Sequence, residues 1–334
     1  MSRIAILGGG SWGTGLAVVL SGCRRRHQIR LWVRDAGLAQ SIEQQRENPK
    51  YLPGIAIPPG VTASAILSEV LHDAQIVICA VPSGHTRGVL AEALHDFPRD
   101  VSIVSATKGL EPATHFRMTQ VISQAMNARF VPNLAVLSGP SFAAEAAAGQ
   151  PTAVVISSQD AALASFLQEE FSGPTFRLYT NDDVMGVELA GAMKNVMAIA
   201  AGACQGLGLG SNSLAALITR GLAEMTRLAV ALGGKSETLS GLAGMGDLIL
   251  TCYGSLSRNR RVGVELGQGR ALPEILAGMT MVAEGVGTTA ALLALARENH
   301  IELPITQQVH SILHLGNPPR DAIRAIMERP LKRE

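Results

Sequence analysis

The stretch Arg3-Ile-Ala-Ile-Leu-Gly-Gly-Gly-Ser-Trp-Gly-Thr-Gly-Leu-Ala17 constrains the fold more than any other part of the chain. Four apolar residues, Ile4 to Leu7, read as a short buried strand. They run straight into Gly8, Gly10 and Gly13 at G-x-G-x-x-G spacing, after which Leu16, Ala17, Val19 and Leu20 lay down an apolar helical stripe. Gly8 suits the tight turn, Gly10 lets backbone approach a pyrophosphate, and Gly13 lets helix and strand pack closely. The helix start adds free N–H groups and a positive dipole end. Strand, glycine turn and helix together imply a dinucleotide-binding unit.

The same opening run has the outline of a signal peptide or anchor, since Ile4 to Cys23 is uncharged and lies between Arg3 and Arg24-Arg25-Arg26. Six glycines and two serines interrupt it, and no A-x-A-like cleavage site follows. A folded nucleotide site is therefore the expectation. Asn195 to Thr219 is also uncharged and long enough to span a bilayer. It carries Gln205, Asn212, two serines and four glycines, so a buried helix plus turn is expected, with no membrane insertion.

At 334 residues the chain suggests two domains. Hydrophobic residues at 47% against 16% charged call for a large core beneath a modestly charged surface. A net charge of +1 argues against nucleic acid or an acidic membrane as partner. Cys23, Cys79, Cys204 and Cys252 are scattered without a C-x-x-C pair, which suits reduced thiols in the cytoplasm and gives no disulfide framework. His310 and His314 stand four apart on a predicted helix, but no acid or third histidine accompanies them, so no metal is expected.

Strands are predicted at Gln28–Val33, Gln75–Val81, Val101–Ala106 and Asn133–Leu137, with shorter ones near Ala153–Ser157 and Thr175–Tyr179. Residues 36–47 read as a polar helix and Asn48-Pro-Lys-Tyr-Leu-Pro-Gly54 as a loop. Strands alternating with helices imply a parallel sheet. Ligands lie beyond strand C-termini in such sheets, so the loops at Pro82, Lys108 and Gly139–Ser141 should converge on a bound dinucleotide. Around Asn181 the character changes, and from Val184 to Glu328 the pattern is helical. Residues 1–181 thus form an α/β nucleotide domain and 182–334 a helical one. The tail from Glu328 to Glu334 is expected to be solvated.

Several residues carry chemical interest with an ordinary alternative beside it. Arg34-Asp35 ends the second strand, where an acid favours NAD and an arginine suits the 2′-phosphate of NADP, with an ordinary surface arginine as the alternative for Arg34. Lys194 shares a small, apolar helix face with Ala190, Met197, Ala198 and Ala201. It either snorkels to an edge or is buried for a purpose, and a like-charged Lys108 at the same site would lower one pKa. Asp247 follows a glycine turn, as a helix cap or a site acid. Ser257 can cap a helix on which Arg258 and Asn259 suit a phosphate or form an exposed polar face. Glu284 lies in a flexible segment where a solvated acid is the default.

Taken together, these segments resemble bacterial NAD(P)-dependent glycerol-3-phosphate dehydrogenase. The matching segments are Gly8–Thr14, Ser105–Leu110, Ser138–Ala143, Glu188–Val196, Ala216–Leu222, Gly246–Leu248 with Thr251-Cys252, Ser257–Asn259 and Ala283–Val286, ordered along nearly the whole chain. The resemblance implies a Rossmann-like α/β domain and an all-helical C-terminal domain on the plan of 6-phosphogluconate dehydrogenase. It implies reduction of dihydroxyacetone phosphate to sn-glycerol 3-phosphate with NADPH or NADH, at the start of phospholipid synthesis. Gly8, Gly10, Ser11, Trp12, Gly13, Arg34, Tyr51, Lys108, Ala143, Arg258, Val282 and Glu284 would meet the dinucleotide. Lys108, Gly139, Ser141, Lys194, Asp247, Ser257, Arg258 and Asn259 would surround the substrate, with Lys194 as proton donor and acceptor. Gly9 and Gly15 stand where the family often has alanine. A homodimer is compatible with this reading. A hydroxyacid or 6-phosphogluconate-type dehydrogenase, or a non-catalytic NAD(P)H sensor, are the alternatives.

Overall fold

Alternation along the first strand sets the architecture: Ile4 and Ile6 point to one side of a sheet, Ala5 and Leu7 to the other, and all four are buried. A strand buried on both faces needs helices above and below it. The computed structural model describes residues 1–331 and 333, so Lys332 and Glu334 of the tail lie outside the described residues. Its strands are β1 (Ser2–Leu7), β2 (His27–Trp32), β3 (Glu47–Asn48), β4 (Leu52–Ala56), β5 (Val61–Ser64), β6 (Ile76–Cys79), β7 (Ser102–Ser105), β8 (Asn133–Ser138), β9 (Thr152–Ser157) and β10 (Phe176–Asn181). Eight of these form one sheet in the order β10-β9-β8-β7-β6-β1-β2-β5. On one face Ile4, Ile6, Ile76 and Ile78 pack with Leu16, Leu167 and Phe171. On the other Ala5, Leu7 and Val77 pack with Leu90, Phe97 and Ile122.

The segment from β5 to β8 is parallel, as the alternation of strands and helices implies. The expectation of a parallel sheet is corrected at β9, which runs antiparallel to β8. The chain between them, residues 139–151, holds only the five-residue helix Ala143–Ala147. That is too little crossover to carry the strand back to the start of the sheet. Two further differences lie near residue 50. The predicted loop 48–54 is part of a small hairpin, β3 with β4, and β5 extends the sheet beyond β2 without having been foreseen. Neither β3 nor β5 exceeds four residues, too few to show a period of two.

The chain divides into two compact units, one of Met1–Lys108 with Phe116–Glu188, the other of Gly109–His115 with the residues from Leu189 on. From Val184 the elements of the described residues are helical. The uncharged run from Asn195 ends one helix (Val184–Gly206), turns, and begins another (Ser211–Ala231). The first is long and apolar enough to cross a membrane, but most of that length is buried in the fold.

In the second unit, glycines let this helix approach the helix Arg258–Gly267 at backbone distance. A Cβ on Gly202 would lie 2.0 Å from the Arg260 carbonyl oxygen, and one on Gly263 would lie 2.0 Å from that of Ile199. Both obstacles are main chain, so neither can swing aside. Gly263→Ala is expected to destabilise the protein by about 1–3 kcal/mol, the usual cost of overpacking, despite alanine's better helix propensity. An unchanged melting temperature would contradict so close a crossing. Elsewhere in the unit the buried Glu224 caps the helix Pro304–His314, accepting from Ile305 N (2.6 Å) and Thr306 N (3.2 Å), while burial raises its pKa.

Candidate active site

In the first unit the sheet reverses its order between β1 and β6, the place where open α/β sheets bind ligands. The turn after β1 fits a pyrophosphate. Gly8 has φ +123°, and a Cβ there would meet Ala80 O at 2.7 Å in the chain leaving β6. A Cβ on Gly13 would press on Gly8 O at 1.9 Å. Around Gly10 the space is open, with nothing within 4 Å of where a Cβ would be. The helix Ser11–Ser21 that follows has no side-chain cap, so its first N–H groups remain for an anion. Trp12 closes the turn with a buried indole Nε1 that has no hydrogen-bond partner among the described residues.

The residue behind this turn is one the sequence reading did not single out. Asn48 is fully buried and its Nδ2 donates to Gly9 O (2.9 Å) and Thr14 Oγ1 (2.9 Å). Its Oδ1 accepts from Tyr51 N (3.1 Å), so the Tyr51 hairpin is tied to the glycine turn. Polar residues beside a proline and a glycine gave only a loop signal; the long-range contact left no local trace. Gly9 has a packing reason as well, because a Cβ there would lie 2.6 Å from Val33 Cγ2. At Gly15 the neighbour is Ala143, 3.2 Å from a would-be Cβ, which places Ala143 beside the first helix.

Arg34, at the end of β2, is exposed and makes no hydrogen bond or ion pair among the described residues. Asp35 behaves differently: its Oδ1 caps the helix Ala36–Gln45 by accepting from Leu38 N (3.1 Å). Beyond β7, Lys108 Nζ donates to Gly139 O (2.7 Å) and Ser141 Oγ (3.3 Å), and Ser141 Oγ donates to Gly139 O (2.9 Å). Gly139 has φ +127° and lies close on β9, with 3.0 Å between a would-be Cβ and Val154 Cα. The loops after β7 and β8 therefore meet. In the same unit the buried Glu188 takes Thr119 N (2.8 Å), Thr119 Oγ1 (2.6 Å) and Arg117 Nη1 (2.5 Å). Burial raises its pKa and the arginine opposes that.

In the second unit Lys194 does not snorkel. It is 7% exposed, and its ammonium donates to Asp247 Oδ1 (2.6 Å) and Thr251 Oγ1 (2.9 Å). Thr251 Oγ1 in turn donates to Asp247 O (2.6 Å). A π-helical turn, Leu242–Gly246, delivers Asp247 to the start of the helix Asp247–Tyr253. Gly246, not Asp247, occupies the cap position, which frees the carboxylate for the lysine. Thr251, to which the sequence alone assigns no role, lies one turn after Asp247 on the same helix, the spacing that brings their side chains together. Beside the pair, burial pushes the Cys252 thiol up to about 12, so it is neutral there at physiological pH. Burial raises the pKa of the other three thiols as well.

Ser257 caps the helix Arg258–Gly267, accepting from Arg260 N (3.2 Å), and its hydroxyl proton remains available. Arg258 is half-buried and makes no hydrogen bond or ion pair among the described residues. Burial lowers its pKa and the Glu284 carboxylate acts against that. A half-buried guanidinium that makes no hydrogen bond among the described residues suits an anion. Asn259 is buried between Asn195 and Gly285, and Val282 is exposed ahead of the helix Glu284–Glu298. Among the described residues no group of three or more His, Cys, Asp or Glu side chains could hold a metal ion. His310 and His314 lie with ring centroids 4.8 Å apart, and burial together with His314 and Arg297 lowers the His310 pKa.

Sequence profiles of the NAD-dependent glycerol-3-phosphate dehydrogenase N-terminus and C-terminus match residues 3–164 and 183–324. A glycerol-3-phosphate dehydrogenase [NAD(P)+] of Koribacter versatilis is 55% identical over 331 residues, covering 99% of this chain and 98% of that protein. The protein of that name from Acidobacterium capsulatum is 54% identical, covering 99% of each. A crystal structure of glycerol-3-phosphate dehydrogenase from Coxiella burnetii superimposes with a TM-score of 0.93 at 41% identity, over 98% of this chain and 99% of that one.

Proposed function

The chain belongs to the NAD-dependent glycerol-3-phosphate dehydrogenase family, and from that premise we propose how its own residues carry the reaction. The protein is an NAD(P)-dependent oxidoreductase that reduces dihydroxyacetone phosphate to sn-glycerol 3-phosphate, reversibly, and so supplies phospholipid synthesis. Its partners are small molecules. The bound coenzyme supplies a hydride to the substrate's carbonyl carbon. What the protein must add is a place for the coenzyme, a grip on the phosphate and a proton for the oxygen.

The observation that carries the proton assignment is the buried Lys194–Asp247–Thr251 cluster. Negative charge develops on the carbonyl oxygen, and the Lys194 ammonium opposes that charge and then transfers a proton. Asp247 and Thr251 each accept from the ammonium and so hold it in place for the substrate oxygen. Removing water from this site strengthens each of these interactions. Arg258 and the start of its helix hold the substrate phosphate with Ser257 and Asn259, and Lys108, Gly139 and Ser141 complete the substrate set. Gly8, Gly10, Ser11, Trp12 and Gly13 hold the pyrophosphate, with Tyr51, Ala143, Val282 and Glu284 as further coenzyme contacts. Residues 1–181 then supply most of the coenzyme contacts and 182–334 the proton and most of the phosphate contacts. The free cysteines support a cytoplasmic setting.

Reduced-coenzyme absorbance with dihydroxyacetone phosphate as acceptor tests this reading, and oxidation of a hydroxyacid in preference to glycerol 3-phosphate would overturn it. The same assay examines the coenzyme. Arg34 has no partner among the described residues, whereas Asp35 is engaged in its cap, so Arg34 is assigned to the 2′-phosphate. Arg34→Ala is expected to raise KM for NADPH about tenfold or more, in line with the loss of a charge-assisted hydrogen bond, and to spare NADH. Equal losses with both coenzymes would remove this assignment.

A further inference from the structure

Two hydrogen bonds join the lysine helix to the two helix starts that carry Arg258 and Glu284, and a third continues the chain within the lysine helix. Gly285 N donates to Asn259 Oδ1 (2.9 Å), Asn259 Nδ2 donates to Asn195 Oδ1 (3.0 Å), and Asn195 Nδ2 reaches Gly191 O (3.4 Å). Each donor hands on to the next in one direction, from a backbone N–H to a backbone carbonyl. The chain fixes which end of each amide faces which neighbour. Asn195 and Asn259 are 5% and 7% exposed, so neither amide can exchange these partners for water without cost.

The packing is as tight as the hydrogen bonding. A Cβ on Gly285 would lie 2.7 Å from Asn195 O and 2.9 Å from Asn259 Oδ1. Glycine is what lets the helix Glu284–Glu298 start this close to the lysine helix. Its N–H is one of the first of that helix and has no intrahelical acceptor, so Asn259 supplies what a cap residue would. The N-cap residue itself, Ala283, offers no side-chain bond.

We propose that Asn195 is a positioning residue for the reaction. It fixes the Asn259 amide, which fixes the start of the Glu284 helix, and so sets the Glu284 carboxylate against the Arg258 guanidinium. The inference rests on the assignment of Arg258 to the phosphate and of Glu284 to the coenzyme. Asn195 follows Lys194 directly in sequence but sits about 100° away on the helix, so its side chain serves these two helix starts while the lysine turns to Asp247. The carboxamide of Asn259 is largely spent inside the protein: its oxygen holds Gly285 and one N–H holds Asn195. A single N–H is left for a substrate oxygen, pointing where Asn195 allows.

The test uses Asn195→Leu, which keeps the volume and removes the amide, Asn259→Leu, and the double variant. For Asn195→Leu we expect KM for dihydroxyacetone phosphate and for NADPH to rise together, about tenfold each, with kcat falling less. The Gly285 amide should exchange its hydrogen about tenfold faster. Because one residue acts through the other, the double variant should lose little more than Asn259→Leu alone. Asn195→Asp, which keeps an acceptor for Asn259 Nδ2, should recover most of the Gly285 protection. A fall in melting temperature with both KM values within twofold of wild type would mean a purely structural role and overturn the proposal. Losses that multiply in the double variant would overturn it too, as would unchanged Gly285 exchange in Asn195→Leu. Arg258→Ala, measured alongside, separates the two levels. If its KM for dihydroxyacetone phosphate is unchanged, the phosphate assignment fails and this inference fails with it, whatever Gly285 does.

Discussion

Lys194→Met is expected to lower kcat by about 10²–10⁴-fold, the usual contribution of a positioned general acid. Methionine has nearly the volume of lysine, so the buried helix face should still close and the coenzyme should still bind. What disappears is the ammonium between Asp247 Oδ1 and Thr251 Oγ1. Asp247 then becomes a buried carboxylate without its cation, and that adds an unfavourable charge next to the developing alkoxide. Some loss of stability should accompany the loss of rate, measurable by thermal unfolding and separable from it by the coenzyme Kd. If the variant keeps more than a tenth of wild-type kcat, the proton comes from elsewhere and the role of Lys194 is structural.

The second large effect concerns the substrate phosphate. Arg258 is half-buried and has neither a hydrogen bond nor an ion pair among the described residues, although the Glu284 carboxylate is close enough to favour its charge. Its helix starts with N–H groups and a dipole that favour an anion as well. Arg258→Ala is expected to raise KM for dihydroxyacetone phosphate about ten- to a hundredfold, as the loss of a charge-assisted hydrogen bond worth roughly 1.5–3 kcal/mol requires. Arg258→Lys should fall between the two, because it restores a point charge but not the planar fork. Wild-type enzyme should turn over unphosphorylated dihydroxyacetone very poorly. Comparable kcat/KM for the phosphate-free ketone would show that this helix start is no phosphate site and that the substrate is a different one. NADPH affinity must be followed in the same variants, since Arg258 is assigned to the coenzyme too.

The sequence determined what is set by neighbours a few residues apart. The glycines at 8, 10 and 13 bind a strand to a helix through local geometry, so the nucleotide turn was legible in fifteen residues. The change from alternating strands to a helical pattern near residue 181 was legible for the same reason, because both periods are properties of consecutive residues. Ser257 as a cap needed only its own helix. Tertiary structure decided the partners. Lys194 could be read as lying on an apolar face, but that face meets Asp247 from 53 positions away. Asn48 looked like part of a loop until the fold brought it to Gly9 and Thr14, 39 and 34 positions earlier. The reversal of β9 and the Asn195–Asn259–Gly285 chain belong to the same class. A period tells which way a side chain faces. Which atom stands opposite depends on how closely two elements approach, and here glycines at their crossings, such as Gly202, Gly263 and Gly285, set that distance.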